Sequence, residues 1–181
     1  MSRMPRVVLP GVAHHITQRG VRRSNVFLEN ADRHLYLDLF LENCHRFLLH
    51  VLAYCLMTNH VHFVAIPERR DSIWKTFHRC HSVYATKFNM KYEFSGHLWQ
   101  GRPFSCVLDE AHLWAAALYV ERNPVQRIRE DTLTGRPCGD PEFVRHVEQA
   151  LGRDLSPKKP GPKPKETDLQ PDPTLWPNDE I

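Results

Sequence analysis

Over the first 156 residues, apolar positions switch between a period of two and a period near four, which predicts a domain mixing strands and helices. GVAHHITQR, ending at Gly20, alternates as a strand does. From 31 to about 47, Tyr36, Phe40, Cys44 and Phe47, with Leu35 and Leu39, fall on one helical face. LLHVLAYCLMTNHVHFVAI is apolar and β-branched with a polar break at Thr58-Asn59, which predicts a hairpin of two strands. Ile73, Phe77, Cys80, Tyr84 and Phe88 space a second helix between 71 and 91, and PFSCVL is a fourth strand. Residues 109–123 are Ala-rich, with Asp109 placed to cap them and Pro124 to stop them. Asp140-Pro141 opens a last helix that carries Phe143, Val147 and Leu151 on its apolar face and ends at Gly152. The order strand, helix, strand, strand, helix, strand, helix predicts an α+β fold, a ferredoxin-like antiparallel sheet with helices packed on it, plus a C-terminal helix.

The end of the chain is different. Seven of the 14 prolines lie between Pro157 and Pro177, and this stretch has no aliphatic period with which to bury surface. The expected organisation is a principal domain over 1–130, a helical extension over 131–156 and a flexible basic tail over 157–181. A net charge of +3 says little by itself, but its distribution is uneven. No acidic residue precedes Glu29, whereas Arg3, Arg6, Arg19, Arg22 and Arg23 do, and Lys158, Lys159, Lys163 and Lys165 form a second basic block. Two cationic stretches on a nearly neutral chain point to a polyanion met at particular places. The five cysteines are odd in number and widely spaced, which argues against a disulfide framework or a CxxC zinc site and for reduced, mostly buried thiols. MSRMPRVVLPG has no apolar stretch behind its basic residues, and no apolar run reaches the 18 or so residues of a membrane span. A cytoplasmic protein with no membrane partner is the expectation.

Three groups of residues could do chemistry. His60-Val61-His62 lies on an apolar strand, so both imidazoles project from one face while Val61 and Phe63 point the other way. Two neutral imidazoles so placed can share a divalent ion; the plainer alternative is that each ring hydrogen-bonds within the fold. Tyr119 and Asn123 stand four residues apart on the Ala-rich helix, which puts a phenol and an amide on one side. The amide oxygen could complete a metal site, yet Tyr119 also suits a core position and Asn123 before Pro124 a helix end. Basic and aromatic residues interleave in the loops Gln18 to Arg23 and His97 to Arg102. There Trp99 could stack a base while Arg19, Arg22, Arg23, Gln100 and Arg102 hold the backbone, or Trp99 could sit in the core beneath a solvated loop.

AYCLMTNHVHFV, GHLWQGRP, LYVERNPVQ and ITQRGVRR, in their places along the chain, resemble the single-tyrosine HUH transposases, most closely the REP-associated tyrosine transposases. The likeness covers 5 to about 130 and a TGRP element at 134–137; Thr58 stands where Pro is commoner in the family. The resemblance implies that 1–130 is a nuclease domain in which His60, His62 and Asn123 hold a divalent ion and Tyr119 is the nucleophile. Asn123 would replace the Gln of many relatives. It further implies cleavage and rejoining of single-stranded DNA beside imperfect hairpins, with a 5′-phosphotyrosine intermediate and a free 3′-hydroxyl. Mg²⁺ or Mn²⁺ is the expected cofactor, because DNA oxygens would join the imidazoles. The partners implied are single-stranded or hairpin DNA at short palindromic repeats, met by a monomer or a homodimer at the bacterial nucleoid.

Other readings make different demands. Replication initiators and plasmid relaxases share this chemistry but are usually parts of larger chains. A degenerate transposase kept as a hairpin-binding regulator would hold DNA equally well in EDTA and never cut it, while a structural zinc protein would need closer cysteines. The tail generates its own expectation: removing 157–181 should leave thermal unfolding unchanged and weaken DNA binding at low salt. Equal affinity of the full and shortened chains would refute a DNA-binding role for Lys158 and Lys159.

Overall fold

A computed structural model describes residues 7–122, 137 and 140–155, and of 118–122 the backbone alone. In chain order the described elements are β1 His14–Arg19, a short 3-10 turn Val21–Arg23, α1 Asn30–Phe47, β2 Leu49–Met57, β3 His60–Pro67, α2 Ser72–Tyr92, β4 Phe104–Val107, α3 Glu110–Arg122 and α4 Pro141–Leu151. The four strands form one antiparallel sheet in the order β2-β3-β1-β4. With α1 and α2 as its crossovers, this is the ferredoxin-like α+β arrangement that the periodicity predicts.

The pleat separates two interiors. Val61, Phe63 and Ala65 of β3 and Ile16 of β1 turn to α1 and α2, where Tyr36, Phe40, Phe77, Tyr84 and Phe88 complete the main core. Phe40 and Phe63 stack with centroids 4.0 Å apart, and Tyr36 meets Tyr84 edge-on at 5.2 Å. The phenols buried there keep partners: Tyr84 donates to the Val26 carbonyl at 2.6 Å, and the Tyr36 hydroxyl bonds His81 Nε2 at 2.9 Å. Val64 instead joins Ala13, Cys106, Leu108 and Ala116 in a second cluster, which seats α3 on the other face. A third cluster joins Val147 of α4 to Val7, Val107 and Leu155.

Local signals set the helix ends. Asp32 completes a capping box at the start of α1 with Glu29 and also receives Lys91 and Tyr92. Burial alone would raise its pKa, but bonds from Lys91, the Leu28 and Glu29 amides and Tyr92 prevail and hold it below the ordinary carboxyl value. Asp109 accepts from the His112 amide at 2.7 Å at the head of α3, and Asp140 from Phe143 at 2.8 Å at the head of α4. The helices predicted over 31–47, 71–91 and 109–123 and from Asp140-Pro141 are thus present where described.

Two features depart from the sequence reading. β1 begins at His14 rather than Gly11, because Gly11 adopts φ +77° and its N–H donates to the Pro67 carbonyl at 2.8 Å, a turn rather than a strand. β2 carries a bulge at Leu52, between the pairs Val51↔Ala65 and Ala53↔Val64. The extra residue turns Ala53 and Cys55 towards α3 although Val51 faces the main core.

One end of the sheet is tied down. The Thr58 carbonyl at the β2–β3 turn accepts from Val26 and Phe27, and the Asn59 carbonyl accepts from Gly20 at 2.9 Å. Thr58 enters these bonds through its carbonyl, so its side chain is immaterial to them. Val21 donates to Leu98 and Gln100 donates to Arg19, which draws the loop 96–103 to the same end. Gly20 has no room for a side chain: a Cβ would lie 2.3 Å from the Ser24 carbonyl oxygen and 2.9 Å from Val26 Cγ1. Gly20→Ala should therefore cost about 1–3 kcal/mol, measured by chemical denaturation; unchanged stability would show that the 20–27 segment yields freely.

Candidate active site

The site is built on β3 where α3 crosses the sheet. Alternation brings His60 and His62 to the α3 face, with ring centroids 4.9 Å apart and planes at 74°. Register places Arg19 of β1 opposite His60, and Thr17 opposite His62. Cys55 and Met57 of β2 flank the same two residues from the other side. His62 is buried and His60 half-buried, so the pair stands at the margin of the interior.

Hydrogen bonds orient both rings. Asn59 Oδ1 is an acceptor only, so His60 Nδ1 carries the proton and donates to it at 2.6 Å, leaving the ring lone pair on Nε2. His62 Nδ1 bonds His15 Nε2 at 3.0 Å, and these two rings lie nearly parallel at 5.2 Å. Burial pushes His15 down to about 4, so it is neutral at pH 7 and suited to accept from His62. With His62 Nδ1 donating, Nε2 carries the lone pair on both rings, an arrangement in which the outer partner fixes the tautomer of the inner one. His15 has no role in the sequence reading. The alternating pattern places it on the α3 face of β1, but only the β1–β3 register shows which ring it meets.

The donor set suits a divalent ion in part. His60 and His62 supply two imidazoles, and among the described residues no third His, Cys, Asp or Glu joins them in a metal-holding group. Any further donor would be of another kind or lie elsewhere in the chain. Tyr119 belongs to the last turn of α3, four residues beyond Ala115 and three beyond the fully buried Ala116. Its side chain, with Asn123, Lys158 and Lys159, lies outside the described residues.

The expected DNA contacts divide. Arg22 and Arg23 are exposed and hold φ of +51° and +64°, left-handed values that non-glycine residues rarely keep. Gln100 and Arg102 are exposed on the neighbouring loop, and Arg19 is half-buried at the end of β1. Of the two places the sequence leaves open for Trp99, it takes the core beneath the loop: it is only 9% exposed, and the His81 ring stacks on it at 4.0 Å. The aromatic core below provides more apolar contact than the loop surface, so the indole goes inward. Cys44, Cys80 and Cys106 are buried and Cys55 half-buried, all as thiols. Among the described residues no helix is long and apolar enough to cross a membrane.

Comparison with known proteins agrees with this architecture. Residues 10–123 match the family described as "Transposase IS200 like". A solved REP-associated tyrosine transposase bound to a REP hairpin is similar at 16% identity and a TM-score of 0.54, covering 90% of this chain and 98% of its own. A putative transposase from Deinococcus radiodurans R1 aligns at 15% identity and a TM-score of 0.46 over 67% of this chain and 98% of its own. A search of curated proteins finds no match. The first likeness establishes a shared fold.

The hydrogen bonds make a spectroscopic prediction. Imidazole ¹⁵N spectra at neutral pH should show both His60 and His62 protonated on Nδ1. A His62 protonated on Nε2 instead would remove that nitrogen as a ligand.

Proposed function

The chain belongs to the IS200-like transposase family, and on that premise we propose that it cuts and rejoins single-stranded DNA beside REP-like hairpins through a 5′-phosphotyrosine on Tyr119. The observation that carries the reading is the pair His60 and His62, oriented by Asn59 and His15 on the sheet face crossed by the helix that bears Tyr119. The choice of substrate leans on the REP-associated transposase of similar fold, which is itself bound to a REP hairpin.

His60, His62 and Asn123 would hold Mg²⁺ or Mn²⁺. Such an ion neutralises charge that builds on the nonbridging phosphate oxygens. The protein's own part is orientation. His15 and Asn59 hold the imidazoles in one tautomer, and α3 delivers the nucleophile. The Tyr119 oxygen bonds phosphorus as the bond from phosphorus to the 3′-oxygen breaks; the phenol loses its proton and the departing oxygen gains one. A phenol with pKa of about 10 is a weak nucleophile at neutral pH, so that proton must go to a base before or during attack. The reverse attack by a 3′-hydroxyl rejoins a strand without external energy, because the phosphotyrosine keeps the energy of the broken ester. Arg19, Arg22, Arg23 and Arg102, with Gln100, would hold the DNA backbone around the sheet end. Chromosomal repeats as substrate would place the protein at the bacterial nucleoid.

Incubating the full chain with a hairpin oligonucleotide carrying a single-stranded flank and Mg²⁺ should yield a covalent adduct resistant to denaturant. Tyr119→Phe should abolish it while sparing binding, and His62→Ala should slow it by about 10²-fold or more. EDTA should stop cleavage. An adduct that survives Tyr119→Phe, or binding without cleavage by the wild type, would overturn the proposal, the latter leaving a hairpin-binding regulator. Mixing the Tyr119→Phe and His62→Ala chains reads the assembly: restored cleavage means a dimer that exchanges tyrosine helices, and no restoration means each chain uses its own.

A further inference from the structure

A concavity lies on the opposite side of the sheet from His60 and His62, between α2 and the loop 96–103, with a volume of about 640 Å³. Pockets of roughly 300–1,000 Å³ are the usual size for small ligands, so a nucleotide base fits within it. Trp74 and His78 form one wall with parallel rings, 5.0 Å between centroids and 7° between planes. Trp74 is 49% exposed, a large aromatic surface held ready by its neighbour rather than spent in the core. Trp99 and His81 line the groove from below, and the bond from His81 Nε2 to Tyr36 fixes that second stack.

Polar and charged groups point to the class of ligand. Trp99 lines the groove, while its indole N–H is buried and meets no acceptor among the described residues. Gln18, also buried, donates to the Gln100 and Gly101 carbonyls at 3.2 Å each and so stiffens the lip. Among the described residues no carboxylate lines the groove, whereas Arg102 and His97 do. A flat π-system with hydrogen-bond acceptors, attached to a negatively charged backbone, is the complement of these walls.

Position makes the match specific. Trp99 bridges to Gly20, and Gln100 donates to the Arg19 carbonyl at 2.8 Å. Arg19 is the β1 partner of His60. The lip of the groove therefore adjoins the end of the sheet where the imidazole pair stands, while the groove itself lies on the other face and leaves the pair clear. We propose that this groove receives an unpaired base of the DNA substrate, stacked on Trp74, from a strand that rounds the sheet end past Arg19 to the histidine face. The inference rests on the reading of single-stranded DNA as substrate and assigns it a second point of hold.

The test uses the full chain and two oligonucleotides, one hairpin with a single-stranded flank carrying 2-aminopurine at successive positions and one blunt hairpin. Wild type should quench the probe at one flank position. Trp74→Ala should remove that quenching and weaken binding of the flanked hairpin about tenfold, with blunt-hairpin affinity unchanged. Trp74→Phe should keep most of the affinity. Equal binding of the flanked hairpin by Trp74→Ala and wild type would overturn the inference, as would an equal loss for both oligonucleotides or a wild type that quenches nowhere. So would a self-association lost in Trp74→Ala with DNA affinity intact, which would make the groove a contact between copies. The Tyr119 adduct at saturating DNA separates the two readings: if it forms and Trp74 has no effect, this inference alone fails; if wild type binds neither oligonucleotide, both fail.

Discussion

The alternation of side chains along β3 is the constraint to which the rest of the molecule answers. Phe63 and Val61 must enter the aromatic core made with α1 and α2, and that burial commits His60 and His62 to the opposite face. A slip of one residue would drive both imidazoles into a cluster of phenyl rings and leave Phe63 on the far side. Hydrophobic burial thus supplies the positional accuracy of two polar groups that contribute little to it. The same strand holds the core with one face and sets the imidazole pair with the other.

The register that β3 needs is held at one end of the sheet. The Thr58 and Asn59 carbonyls take bonds from Val26, Phe27 and Gly20, while the loop 96–103 is bound to Arg19 and Val21. Segments distant in the chain meet there, and with them most of the exposed cationic side chains expected to meet DNA. Arg22 and Arg23 accept left-handed backbone at this point, a conformation that persists because the bonds around it over-determine the turn.

His15 shows how much a site depends on what stands behind it. Its ring is buried and neutral, and it bonds His62. Asn59 does for His60 what His15 does for His62, with an amide in place of an imidazole. Two different outer partners thereby engage the same nitrogen, Nδ1, of two rings on one strand. On the other face of the sheet, Trp99 and Trp74 exchange the roles their surroundings suggest: the tryptophan of the basic loop is buried, and the one on the helix is exposed.

The α+β order of elements, the hairpin at Thr58-Asn59, the capped helices and the shared face of His60 and His62 were all legible in the amino-acid sequence. Each follows from spacing within about twenty residues, where the periods of helix and strand act directly. The turn at Gly11 and the bulge at Leu52 were not, since both depend on a partner strand. Nor was the meeting of His15 with His62 or the burial of Trp99 under His81, because contacts between separate elements arise only when strands align and helices close over them.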